Sequence, residues 1–177
     1  PRVRARVGLL VAPLERLLPE AVVAREGAEG RVRDEERPAA VPVAWLWGRA
    51  GTGKSHLLQA ACAAAAERGE AAAYVDLPLA ATPALLEGCE TLGLVCLDGL
   101  ESVAADAGWN AAIFRLHTLL QDGTGRLVVA SRAPPASLAF TLPDLRSRLL
   151  AADVQQLVEP GEDEQCAALR LRAAGRG

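Results

Sequence analysis

Three signals follow one another without a gap between Val43 and Ala66: the apolar run VAWLW, the glycine-rich bend GRAGTGKS and the alanine-rich run HLLQAACAAAA. Five apolar residues in a row suit a buried strand. Leu57, Leu58, Ala61, Cys62 and Ala65 recur with the period of a helix and form one apolar stripe. A strand that passes through a single bend into a helix commits the chain to layered α/β packing, because each element must bury its apolar face on the other. The bend itself reads Gly48-Arg49-Ala50-Gly51-Thr52-Gly53-Lys54-Ser55, the pattern G-x-x-x-x-G-K-[ST]. Its glycines permit sharp turns that aim successive N–H groups at an anion, and the following helix adds its positive end. In this pattern Lys54 reaches the β- and γ-phosphates and the Ser55 hydroxyl binds Mg²⁺. ATP or ADP with Mg²⁺ is therefore the expected ligand of residues 48–55. Composition points the same way: Lys54 is the sole lysine among 19 basic residues, so a compact ammonium stands here where the chain otherwise uses arginine.

The rest of the chain alternates in the same manner. AAAYVDL (71–77), LGLVCLD (92–98), RLVVAS (126–131) and DVQQLVE (153–159) read as strands beside VAWLW (43–47). Helical patterns lie at 54–68, at WNAAIFRLHTLLQ and at EDEQCAALRLRAA, with a short one at TPALLEGC. Strand and helix in alternation predict a five-stranded parallel sheet with helices on both faces, and the near-continuous apolar LGLVCL and LVVA fit central strands buried on both sides. Residues 1–40 read as a lead-in, with a helix near Leu14–Arg25 and then the charged segment REGAEGRVRDEERP; the nucleotide-binding core is expected over 41–177.

Charge and cysteine content restrict the function. A formal net charge of −3 and a pI near 5.5 provide no basic footprint for duplex binding, so direct DNA binding is not expected. The four cysteines are dispersed and form no C-x-x-C pair, which suggests buried free thiols rather than a zinc site or a disulfide framework. No apolar stretch reaches the ~18 residues of a membrane span. Trp45, Trp47 and Trp109 suit packing, and neither His56 nor His117 has neighbours that would make it a ligand or an acid–base group.

A phosphate loop needs a second oxygen donor for the magnesium, normally an Asp at the end of a neighbouring buried strand. LGLVCLD places Asp98 there. Hydrolysis commonly uses a further carboxylate in the next position to orient water, but that position is Gly99, and Glu101 lies two residues further on. Nucleotide binding is thus better supported than turnover, and at most a weak ATPase is expected.

Taken together, GTGKSHLLQAACA, LVCLDGLE, WNAAIF and LPDLRSRLL resemble the DnaA-related AAA+ family, and within it the branch of regulatory inactivators of the initiator, from about Val43 onward. The resemblance implies the AAA+ core, with nucleotide at the carboxyl ends of the strands, and a cytoplasmic regulator of replication initiation. It further implies a DnaA-type initiator as partner, with the DNA-loaded sliding clamp assisting, and assembly that extends to homo-oligomers. The Arg of the SR pair after LPDL matches the family's arginine finger, which is Arg148 here; the alternative is that Arg146 and Arg148 form a solvated pair on a loop. Ser131 occupies the sensor-1 region. The chain departs from the pattern in having no Q-L-x-L-P-L clamp peptide and in ending at RLRAAGRG, where relatives continue into a lid carrying a sensor-2 Arg, so weakened nucleotide affinity is expected. Two other readings share the core: a helicase-loader ATPase of the DnaC kind and a shortened fragment that binds no nucleotide.

Overall fold

The computed structural model describes residues 43–122 and 125–158. The lead-in helix, the charged linker and the helix expected at EDEQCAALRLRAA lie outside the described residues.

Five parallel strands form one sheet: β1 Val43–Trp47, β2 Ala72–Asp76, β3 Leu94–Asp98, β4 Arg126–Ser131 and β5 Asp153–Gln156, in the order β2-β3-β4-β1-β5. Each of the five expected strands is present. The chain leaves β1, crosses to the far edge at β2, returns strand by strand to β4 beside β1, and adds β5 on the other side. Each neighbouring pair in the sheet is parallel, so every strand points its carboxyl end to the same rim. Trp47 is paired with Ser131 on β4 and Gln156 on β5. Asp76 is paired with Asp98. The residues that follow β1, β3 and β4 therefore emerge together, at the rim where open α/β sheets place their ligands.

Alternation along the strands divides the apolar side chains between two cores. On one face Ala44, Leu46, Leu94, Cys96, Val128 and Ala130 meet Leu58, Ala61 and Ala65 of helix α1, Lys54–Glu67. The alanines of α1 let it lie close to the sheet, while Leu57 and Cys62 flank the contact half-buried. On the other face Val43, Trp45, Val95, Leu97, Leu127 and Val129 meet Trp109, Ile113, Leu116 and Leu120 of α2, Ala107–Asp122. Leu145 and Leu149 of α3, Pro143–Leu150, complete that core. Helices thus cover both faces as expected. TPALLEGC yields only a 3-10 turn at Pro83–Leu86, capped by the Thr82 hydroxyl, because Pro83 starts it and Gly88 at φ 86° breaks the chain soon after. Helix α3 was not expected: eight residues carry only two buried leucines, too short a pattern to register as periodic. Trp45 is fully buried and its ring stands nearly perpendicular to that of Phe140, and Trp109 is buried as well, in keeping with packing roles.

Candidate functional site

The bend after β1 forms a loop whose glycines are required for two different reasons. Gly51 and Gly53 have φ of 85° and 88°, the left-handed region that side chains disfavour. Gly48 has an ordinary φ but no room, since a Cβ there would come within 2.4 Å of the Leu157 carbonyl oxygen. The Gly48 N–H donates to the Ser131 carbonyl, which ties the start of the loop to the end of β4. Gly53 then opens α1, so the helix begins at Lys54 with its free N–H groups facing the rim.

Lys54 is buried, and its ammonium donates to the carbonyls of Gly48 and Arg49 at 2.7 Å each and to the Thr52 hydroxyl at 3.3 Å. Burial pushes its pKa down; the negative charges of Asp98 and Glu101 oppose this, and the guanidinium of Arg132 adds to it. The lysine closes the loop on itself and stands at one side of a cavity of about 420 Å³. Ala50, Gly51, Gly53 and Ser55 of the loop share that cavity with Asp98, Ser131, Glu101 and Arg132. Arg49 and Thr52 line a second cavity of about 410 Å³ across the loop, beside Trp47 and Leu157. Seven of the eight loop residues therefore line one cavity or the other, and Gly48 lines neither.

Asp98 ends β3, buried, and accepts a hydrogen bond from the Tyr74 hydroxyl at 2.8 Å. Burial and this neighbouring carboxylate push the Tyr74 pKa up to about 12. The tyrosine thus stays a donor and holds one carboxylate oxygen. Ser55 is exposed on the cavity wall. A hydroxyl and a carboxylate suit Mg²⁺, and among the described residues no group of three or more His, Cys, Asp or Glu is arranged to enclose a metal. Such a pair fits an ion that takes its other ligands from water and substrate phosphates, as Mg²⁺ does.

Ser131 is buried at the end of β4. Its hydroxyl accepts from Trp45 Nε1 at 2.8 Å and donates to the Ala133 carbonyl, so both of its hydrogen-bonding functions are engaged within the protein. Arg132, one residue on, lines both cavities and has a mostly exposed side chain. Asp76 and Arg132 are wall residues that sequence reasoning did not single out, nor did it single out Tyr74, which reaches the site through Asp98. A second strand ending in Asp, at Asp76, was the available signal.

Arg148 lies on α3 rather than on a loop, lines neither cavity, and is half-exposed. Its guanidinium sits 4.6 Å from the Phe114 ring centroid, donates to Gln121 Oε1 at 3.0 Å and reaches His117 Nδ1 at 3.4 Å. Burial, and then the Arg148 charge, push the His117 pKa below its ordinary 6.5. The folded chain refuses a proton that the unfolded chain accepts, so stability is full above pH 6.5 and falls as pH drops through it. Melting temperature measured from about pH 8 to about pH 5 should decline in the wild type and decline less in His117→Gln.

A parallel sheet in this order, with a glycine-rich loop and helix at the end of β1 and an acid at the end of β3, is the P-loop core of AAA+ type. Solved structures agree. The chain superimposes on a DNA replication initiation factor with a TM-score of 0.65 at 20% identity, covering 77% of this chain and 46% of that one. Domain III of Thermotoga maritima DnaA gives 0.63 at 19% identity, with 75% and 61% covered. AMPPCP-bound DnaA of Aquifex aeolicus gives 0.58 at 24%, with 64% and 39% covered. The chain thus spans less than half the length of the initiation factor and of the Aquifex DnaA. No protein-family model matches the chain. At these identities the likeness establishes the fold alone, a five-stranded parallel P-loop core of AAA+ type. No helix among the described residues is long and apolar enough to cross a membrane.

Proposed function

We propose that the chain is a cytoplasmic Mg²⁺-nucleotide-binding AAA+ regulator of replication initiation, of the Hda kind. In this reading the loop Gly48–Ser55 with Asp98 holds ATP or ADP with Mg²⁺, and Arg148 completes the hydrolytic site of ATP bound to a DnaA-type initiator. The observation that carries the reading is the separation of the two elements. The phosphate loop has its own cavity, and Arg148 stands outside it on α3, half-exposed and already engaged by neighbours that hold its guanidinium in place. A guanidinium so placed suits a phosphate on another subunit better than one on its own. The AMPPCP-bound state of the Aquifex DnaA supports a nucleotide as the ligand of the loop. The sliding clamp and a second copy of the chain are further partners of this reading.

The test is consumption of labelled ATP preloaded on a purified DnaA-type initiator, with and without the chain, in the presence of clamp-loaded DNA. Acceleration proportional to added chain supports the proposal. An unchanged rate with a folded, nucleotide-bound chain would sink it.

A further inference from the structure

Position 99, where a water-orienting carboxylate is expected after the strand-ending acid, is strained for any side chain. Gly99 has φ 74° and ψ 38°, in the left-handed region, and a Cβ there would stand 2.7 Å from Pro78 Cδ. Both backbone and space strain an acid at that point. The left-handed step has a second effect: it turns the chain into the 3-10 turn Leu100–Ser102, which carries Glu101 back to the wall of the cavity that holds Lys54 and Asp98.

Glu101 is fixed there from the neighbouring strand. Its Oε2 accepts the Arg132 backbone N–H at 3.1 Å, and its Oε1 faces Arg132 Nε at 3.3 Å. The Glu101 side chain is mostly buried, whereas that of Arg132 is 73% exposed. An ion pair with so exposed a partner holds weakly, so the guanidinium can leave while the backbone N–H keeps the carboxylate aimed. We infer that Glu101 is the catalytic carboxylate of a slow ATP hydrolysis by this chain itself, replacing the acid that position 99 lacks, with Arg132 as its positioning residue.

The step balances without any redox partner. Water oxygen forms a bond to the γ-phosphorus, the bond from that phosphorus to the β,γ-bridging oxygen breaks, and the water proton passes to Glu101 and then to solvent. ADP and inorganic phosphate are the products. Glu101 lines the same cavity as Lys54 and Asp98, the residues expected to reach the γ-phosphate and its magnesium. The inference rests on nucleotide binding by the phosphate loop.

Three measurements on the full chain, in wild type, Glu101→Gln and Glu101→Asp, test it. They are AMPPCP affinity with Mg²⁺, single-turnover hydrolysis of γ-labelled ATP, and ADP affinity with and without aluminium fluoride, which mimics the phosphoryl group under attack. Glutamine keeps an oxygen to accept the Arg132 N–H but cannot take a proton. Glu101→Gln should bind AMPPCP within about threefold of wild type and hydrolyse ATP about 100-fold more slowly, the size expected for a lost general base. It should also lose the fluoride-dependent tightening of ADP, while Glu101→Asp keeps part of both. Turnover in Glu101→Gln equal to wild type, or a wild type that binds AMPPCP but never hydrolyses ATP, overturns the inference. Failure of folded wild type to bind AMPPCP overturns the nucleotide reading along with it.

Discussion

Replacing Lys54 with alanine is expected to weaken binding of ATP by about 100-fold and of ADP, which lacks the γ-phosphate, by less, with the chain still folded. A hydrogen bond from a charged donor contributes ~1.5–3 kcal/mol, and an ammonium that reaches two phosphate oxygens makes two of them. Each ~1.4 kcal/mol is a factor of ten in affinity, so the loss falls between about two and four decades. The ammonium is spent on the carbonyls of Gly48 and Arg49, which a phosphate must displace or share. That competition makes the measured loss smaller than the gross interaction. Folding should survive because alanine is the best helix former at the first position of α1, and because the variant sheds a buried charge whose pKa burial already pushes down. Equilibrium binding of labelled nucleotide with Mg²⁺, alongside circular dichroism, decides the matter. Equal affinities in the two folded proteins would mean that the loop is a structural bend.

The elements that sequence made legible are those whose signal is local. VAWLW is a continuous apolar run and RLVVAS has one at its centre, and their bounds at Val43–Trp47 and Arg126–Ser131 match the strands observed. The stripe of α1 was readable for the same reason, and its inner members Leu58, Ala61 and Ala65 are the buried ones. Gly51 and Gly53 do what glycines at a sharp turn are expected to do. Gly48 does not: its need comes from Leu157, more than a hundred residues away, which no local pattern can report.

The same limit explains what was missed at the site. Tyr74 reaches Asp98 because β2 pairs with β3 in register, and a contact across a sheet leaves no mark in the sequence of either strand. Ser131 was legible as the end of a strand but not as a hydroxyl held between Trp45 and Ala133. Glu101 looked displaced from the useful position by two residues. It returns to the cavity only because Gly99 turns left-handed against Pro78. Spacing along a chain reports a site faithfully where the backbone is regular and fails where one residue leaves the regular region.

Arg148→Ala should lower the stimulation of an initiator's ATP hydrolysis by about 10³-fold, the lower end of what a guanidinium placed on a transferred phosphoryl group contributes in NTPases. The contacts of Arg148 also permit a plainer role, since an arginine stacked on Phe114 and bonded to Gln121 could simply pin α3 to α2. The two roles predict different patterns. A pin would cost melting temperature in proportion to activity, and Arg148→Met, which keeps much of the apolar stem, would restore both. A finger would leave melting temperature and the chain's own nucleotide affinity nearly unchanged, and neither Arg148→Met nor Arg148→Lys would restore stimulation, because the planar fork is what meets two phosphate oxygens at once. Arg146 is exposed on the same helix and serves as the control. Arg146→Ala should stimulate like wild type under the finger reading, since charge on α3 is then not enough without the aim that Gln121 and Phe114 give to Arg148. Equal loss in the two arginine variants would assign the effect to net charge at the interface instead of to a finger, and salt would then abolish it in wild type as well.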